Sequence, residues 1–127
     1  MSDLPKELRW VGSSQKDFRK FPDEVHNELG FSLHLVQEGK TPARSKPLKG
    51  KLSGTVELID DYDGDTYRAV YTTKIGNILY ILHAFKKKSK KGSETPKQEI
   101  DLVVSRLKIA QKNYEEQLKK EDNSELK

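Results

Sequence analysis

Apolar positions along the chain switch between two periods, and the switches mark the elements. Over residues 22–38, Val25, Leu29, Leu33 and Val36 recur every three or four positions, as one face of a helix requires. Pro22 suits its first turn, Asp23 and Glu24 complement the helix dipole there, and Gly39 supplies a stop. Three strands are expected next: 51–59 alternates weakly, 66–74 is dense in tyrosine, valine and threonine, and 78–85 is a nearly continuous apolar run. The last reads as a central strand covered on both faces. Asp61-Tyr62-Asp63-Gly64-Asp65 joins the first pair, and Gly76-Asn77 is a two-residue hairpin signal joining the second. Upstream, Leu8-Arg9-Trp10-Val11 reads as a short edge strand before the polar stretch 12–15, while 42–50, with two prolines and no apolar period, reads as a basic loop. A second helix starts at Thr95-Pro96-Lys97-Gln98, where threonine can cap, proline takes the first helical position and glutamine completes a capping box. Ile100, Val103, Leu107, Ala110, Tyr114 and Leu118 carry its stripe onward for about six turns. The expected fold is α+β, a small antiparallel sheet with an N-terminal helix and a long C-terminal helix, in one domain over 1–120. Residues 121–127 are expected to be a frayed tail.

Composition narrows the function. A chain of 127 residues matches one domain at the usual ~100–200 residues each. With 33% hydrophobic and 35% charged residues it has a modest core under a heavily solvated surface, which argues against a large enclosed pocket. The absence of cysteine excludes a disulfide scaffold, a thiolate zinc site and a cysteine nucleophile. No apolar run approaches the ~18–20 residues of a membrane span, and the first six residues hold no hydrophobic signal core, so a cytoplasmic protein with no membrane partner is expected.

The net charge of +4 matters through its layout. Lys40, Arg44, Lys46, Lys49 and Lys51 follow one another with no acid between them, and Lys86, Lys87, Lys88, Lys90, Lys91 and Lys97 are interrupted by Glu94 alone. Such blocks favour a polyanionic partner. If Gly76 and Asn77 are the loop residues, Val70 faces His83 and Arg68 faces Phe85, so Arg68, Val70 and Thr72 share a face with Ile81, His83, Phe85 and Lys87. Tyr67, Ala69 and Tyr71 then share the other face with Tyr80, Leu82, Ala84 and Lys86. Arg68 lies diagonal to both His83 and Lys87 at roughly 7–8 Å, a distance long side chains can bridge to a common phosphate.

Other chemistries lack their residues. In the acidic turn the glycine is fourth and Thr72 is twelfth, where a calcium loop needs glycine sixth and glutamate twelfth. His26, His34 and His83 have no zinc-site spacing, and there is no phosphate-binding glycine loop or serine nucleophile elbow. No metal or cofactor is therefore expected.

Tyr67-Arg68-Ala69-Val70-Tyr71, then Ile81-Leu82-His83-Ala84-Phe85-Lys86-Lys87, then Thr95-Pro96-Lys97-Gln98-Glu99-Ile100 resembles the phage-derived branch of the RelE/HigB toxins of type II toxin–antitoxin systems. Leu48-Lys49-Gly50-Lys51-Leu52 followed by Val56-Glu57-Leu58 looks like that family's entry into the sheet, and the likeness spans residues 18–112. It implies helices packed on one face of an antiparallel sheet and an endoribonuclease that cuts messenger RNA, usually on the ribosome. It also implies a cognate antitoxin, often with a helix-turn-helix domain, through which the toxin meets operator DNA.

Carried residue by residue, the resemblance makes Arg68 and Lys87 the stabilisers of charge on the scissile phosphate, with Lys51 a counterpart of the basic residues at the head of the sheet. Lys46, Lys49, Lys86, Lys88, Lys90 and Lys91 would follow the RNA backbone. The implied mechanism is metal-independent: the 2′-hydroxyl attacks the adjacent phosphorus. For the proton steps the candidates are His83, because histidine ordinarily titrates near neutrality, and a clustered lysine whose like-charged neighbours favour its neutral form; Tyr71, on the other face, is a weaker option. On this reading Arg68→Ala abolishes cleavage and leaves the fold intact. The alternative is a non-catalytic RNA- or DNA-binding module, or a degenerate toxin acting through its antitoxin.

Overall fold

The computed structural model describes residues 4–88 and 95–125. β1 (Leu8–Trp10) leads into a short helix α1 (Ser14–Arg19) and then α2 (Asp23–Gln37). A three-residue strand β2 (Ser45–Pro47) and a 3-10 turn (Gly50–Leu52) precede the meander β3 (Thr55–Tyr62), β4 (Asp65–Thr72) and β5 (Leu79–Lys88). The long helix α3 (Lys97–Glu125) follows. The fold is α+β, and the three middle strands and both long helices stand where the periodicity puts them.

The five strands lie in the order β1-β5-β4-β3-β2. All neighbours are antiparallel except β1, which runs parallel to β5 at the edge, so the sheet is mixed rather than wholly antiparallel. At the β4–β5 turn Gly76 and Asn77 both have positive φ, +62° and +56°, and Ile78 N–H donates to the Ile75 carbonyl at 3.1 Å. That is the mirror-image turn whose twist matches a hairpin.

Alternation along β3, β4 and β5 builds two apolar layers. Leu58, Tyr67, Ala69, Tyr71, Leu79, Ile81 and Ala84 face α1 and α2, meeting Phe18, Val25, Leu29, Leu33 and Val36. Val70, Tyr80, Leu82 and Phe85 face the other way, against Val103 and Ala110 of α3. Helices therefore cover both faces of the sheet, correcting the one-faced packing implied by the resemblance. The physical reason is in β4 and β5: both alternating sets are apolar, so each needs a cover.

One register detail also departs from the sequence reading. Arg68↔Phe85 and Val70↔His83 hold as expected, but a bulge between Val70 and Tyr71 pairs Tyr71 with Ile81. A single extra residue reverses sidedness beyond it. Ile81 consequently faces α2, while Tyr80 and Leu82, expected beside Tyr71, face α3. α3 continues to Glu125, past residue 120, where its apolar stripe ends.

Candidate functional site

The sheet face beneath the first turns of α3 carries the charged side chains that the sequence grouped together. Cross-strand rows on this face run Lys46–Glu57–Val70–His83, then Ile59–Arg68–Phe85, then Asp61–Thr66–Lys87. Arg68, His83 and Lys87 thus share one face. Each is nevertheless engaged differently from a set converging on one open phosphate site.

Arg68 is 4% exposed and its Nη1 donates to Glu57 Oε1 at 2.9 Å, with Glu57 itself 1% exposed. Thr95 Oγ1 donates to the other carboxylate oxygen, Oε2, at 3.0 Å and lies 3.4 Å from Arg68 Nη1. The threonine hydroxyl expected to cap α3 is spent on Glu57 instead. The Pro96 carbonyl accepts the first helical amides, from Glu99 at 3.0 Å and Ile100 at 3.1 Å. The entry of α3 is fastened to the sheet by this contact.

His83 forms the second cluster. Its Nε2 lies 2.7 Å from Glu99 Oε2 and its Nδ1 lies 3.4 Å from Arg106 Nη1, while the ring stacks on Phe85 at 4.8 Å. Arg106 also donates to the Leu82 carbonyl at 3.0 Å and to Ser13 Oγ at 2.8 Å; Ser13 in turn donates to Asp17 at 2.8 Å. A groove of about 460 Å³ between α1 and β5, lined by Lys20, Phe21, Tyr67, His83, Phe85 and Lys86 among others, opens beside this cluster. It forms because β1 pairs only with Leu79–Ile81, leaving the rest of β5's outer edge without a strand.

The remaining cationic positions are peripheral. Lys86 bridges to Asp65 at 3.7 Å, Lys87 stands opposite Thr66, and Lys88 ends β5 opposite Asp65. Lys90 and Lys91 lie outside the described residues. Lys46, Lys49 and Lys51 are exposed, on β2 and at the 3-10 turn. Lys74 joins them, its Cγ resting 3.7 Å from where a Cβ on Gly54 would stand, and it lines a groove of about 350 Å³ with Lys108 of α3. No carboxylate lines that groove. None of these five lysines pairs with a described carboxylate. No three described His, Asp or Glu side chains converge as a metal site needs.

Glu57, Glu99 and Arg106 were missed as site residues, although the periodicity contains them. Glu99, Val103, Arg106 and Ala110 are spaced four, three and four apart, which puts the buried Arg106 and the half-buried Glu99 on the sheet-facing stripe of α3. Glu57 alternates with Val56 and Leu58 onto the α3 side of β3. A charge at a position whose periodicity demands burial signals a buried partner.

The architecture is therefore a mixed sheet between two helical layers, with the buried Arg68–Glu57 pair under one helix and exposed lysines that pair with no described carboxylate. The sequence profile of the phage-derived Gp49-like proteins (DUF891) matches residues 16–108, and the chain belongs to that family. This is the phage-derived grouping to which the sequence motifs pointed. Among solved structures, one chain of the toxin–antitoxin complex RelBE2 from Mycobacterium tuberculosis superposes with a TM-score of 0.48 at 20% identity, over 69% of this chain and 98% of that one. No curated protein matches the chain significantly. Among the described residues no helix is long and apolar enough to cross a membrane.

Proposed function

We propose that this Gp49-like protein is the toxin of a type II toxin–antitoxin pair and an endoribonuclease acting on messenger RNA, in the context of the ribosome. The observation that carries the reading is the placement of Arg68, His83 and Lys87 on one face of the β4–β5 ladder, in a chain whose Lys46, Lys49, Lys51, Lys74 and Lys108 pair with no described carboxylate. A phosphodiester backbone is the partner such lysines suit, because release of its counterions drives binding. Lys46, Lys49 and Lys51, with Lys86 and Lys88 at the end of β5, would track the RNA.

The chemistry asks little of the protein beyond charge and proton handling. Attack by the RNA 2′-hydroxyl on the adjacent phosphorus supplies its own nucleophile, so the protein stabilises the extra negative charge and moves protons. Lys87 is the cation at the end of the ladder for the first task, and Arg68 contributes beside it with a charge already balanced by Glu57. The antitoxin would cover this face, and it would carry any helix-turn-helix contact to operator DNA.

The buried Arg68–Glu57 pair favours a second reading, in which the pair is purely structural and the chain is a non-catalytic RNA-binding module or a toxin that has lost its chemistry. End-group analysis separates the two. Purified chain incubated with messenger RNA, with and without ribosomes, is expected to yield 2′,3′-cyclic phosphate and 5′-hydroxyl ends; retention of intact RNA on the protein supports the binding module instead.

A further inference from the structure

His83 is the histidine of the candidate site, yet neither of its ring nitrogens faces a substrate. Arginine has no lone pair, so the Arg106 contact makes Nδ1 an acceptor and puts the ring proton on Nε2, where it is donated to Glu99 at 2.7 Å. Phe85 holds the ring from one side, and Arg106 is itself fixed by the Leu82 carbonyl and Ser13. The close approach of Arg106 depends on Gly12, where a Cβ would stand 2.7 Å from Arg106 Nε. The ring is therefore locked in place with both nitrogens used.

The outer member of the pair is Glu99. Its side chain is 26% exposed against 6% for His83, and Oε1 makes no hydrogen bond to a described residue while Oε2 receives the imidazole N–H. The described charged groups packed against it from the sheet side belong to one network. His83 faces it from β5 with Arg106 behind, and the Arg68–Glu57 pair is reached through Thr95 at the start of the helix. Lys97 and Asp101, its neighbours on α3, are exposed and bridge each other at 3.6 Å.

We infer that Glu99, rather than His83, is the proton acceptor of this site: its free carboxylate oxygen takes the proton of an RNA 2′-hydroxyl, while His83 is a positioning residue that aims the carboxylate and Arg106 fixes the ring. The inference rests on the nuclease reading above. In the step, the O2′–H bond breaks toward Glu99 Oε1 as O2′ bonds to phosphorus. The P–O5′ bond breaks and O5′ takes a proton from the Lys87 ammonium, leaving a cyclic phosphate and a 5′-hydroxyl. Solvent then carries the proton from Glu99 back to the lysine amine.

Glu99→Gln tests this, because the amide oxygen can still accept from His83 Nε2 but cannot take a proton. The variant is expected to melt with the wild type and bind RNA equally. It should cleave about 100-fold or more slowly, within the ~10²–10⁴ typical of general base loss, and lose the acidic limb of the pH–rate profile. Nitrogen NMR of His83 should show the Nε2–H tautomer in both proteins. Wild-type cleavage by Glu99→Gln with an unchanged profile, while Lys87→Ala is slow, overturns the role of Glu99 and leaves the nuclease reading standing. A His83 ring with its proton on Nδ1 also overturns it. A wild-type chain that produces no cyclic-phosphate ends overturns both.

Discussion

Arg68 Nη1 lies 2.9 Å from Glu57 Oε1, and neither side chain is more than 4% exposed. A pair this deep is held by mutual compensation: each charge has left water, and removing one strands the other. Arg68→Ala is accordingly expected to destabilise the fold by about 3–5 kcal/mol, which corrects the sequence-based expectation that it leaves the fold intact. Arg68→Met/Glu57→Leu, which removes both charges and keeps volume, should lose less than the sum of the single changes. Urea unfolding of the four proteins checks this; additive losses would show that the two side chains do not depend on each other.

Gly12 has φ +57°, and a Cβ there would meet the Arg106 guanidinium, whereas Gly64, at φ +83°, has nothing within 4 Å of such a Cβ. Both alanine substitutions pay for a left-handed backbone, about 1–2 kcal/mol. Gly12→Ala additionally displaces Arg106 from Leu82 and Ser13, so it should lower the unfolding midpoint further than Gly64→Ala. Equal midpoints would mean that the Arg106 contacts contribute nothing to stability.

The helices and the meander were legible because their periods are long and their faces are clean, as Val25, Leu29, Leu33 and Val36 illustrate. α1 was not, since six residues with only Ser14 and Phe18 buried make no repeating stripe. β2 is three residues of Ser45-Lys46-Pro47, recruited by pairing with β3 rather than by its own propensity. The bulge after Val70 has no residue signature, and it reversed the assignments of Tyr80, Ile81 and Leu82. Within the site, the shared face of Arg68, His83 and Lys87 followed from the Gly76-Asn77 turn alone. The carboxylate partners of Arg68 and His83 come from β3 and α3; periodicity turns each acid toward the sheet–helix layer, but the pairing itself is a tertiary contact.

The exposed lysines predict a salt-dependent phenotype separate from stability. Replacing Lys49, Lys51, Lys74 and Lys108 with glutamine should leave thermal unfolding nearly unchanged, since surface substitutions usually stay within about ±0.5 kcal/mol. Affinity for single-stranded RNA should fall, and the slope of log affinity against log salt should shrink by about 0.7 for each lysine that contacts phosphate. An unchanged salt slope would place the RNA elsewhere.

Burial raises the Asp60 carboxyl above its ordinary range, reinforced by the nearby charge of Glu28. A raised folded-state value means that the ionised form is disfavoured by folding, so Asp60→Asn should gain stability at neutral pH. That gain should disappear as pH falls through the folded-state value, where the wild-type group also becomes neutral. Denaturation midpoints of both proteins between pH 7 and pH 3 check the sign, and a gain that grows on acidification contradicts it.

The most direct test of the central claim is induction of the chain alone in bacterial cells, with growth followed and new 5′ ends mapped on messenger RNA. The account predicts growth arrest and new 5′-hydroxyl ends, both absent in a folded Lys87→Ala variant. Normal growth with intact messages, or cleavage ends that persist in Lys87→Ala, would contradict it.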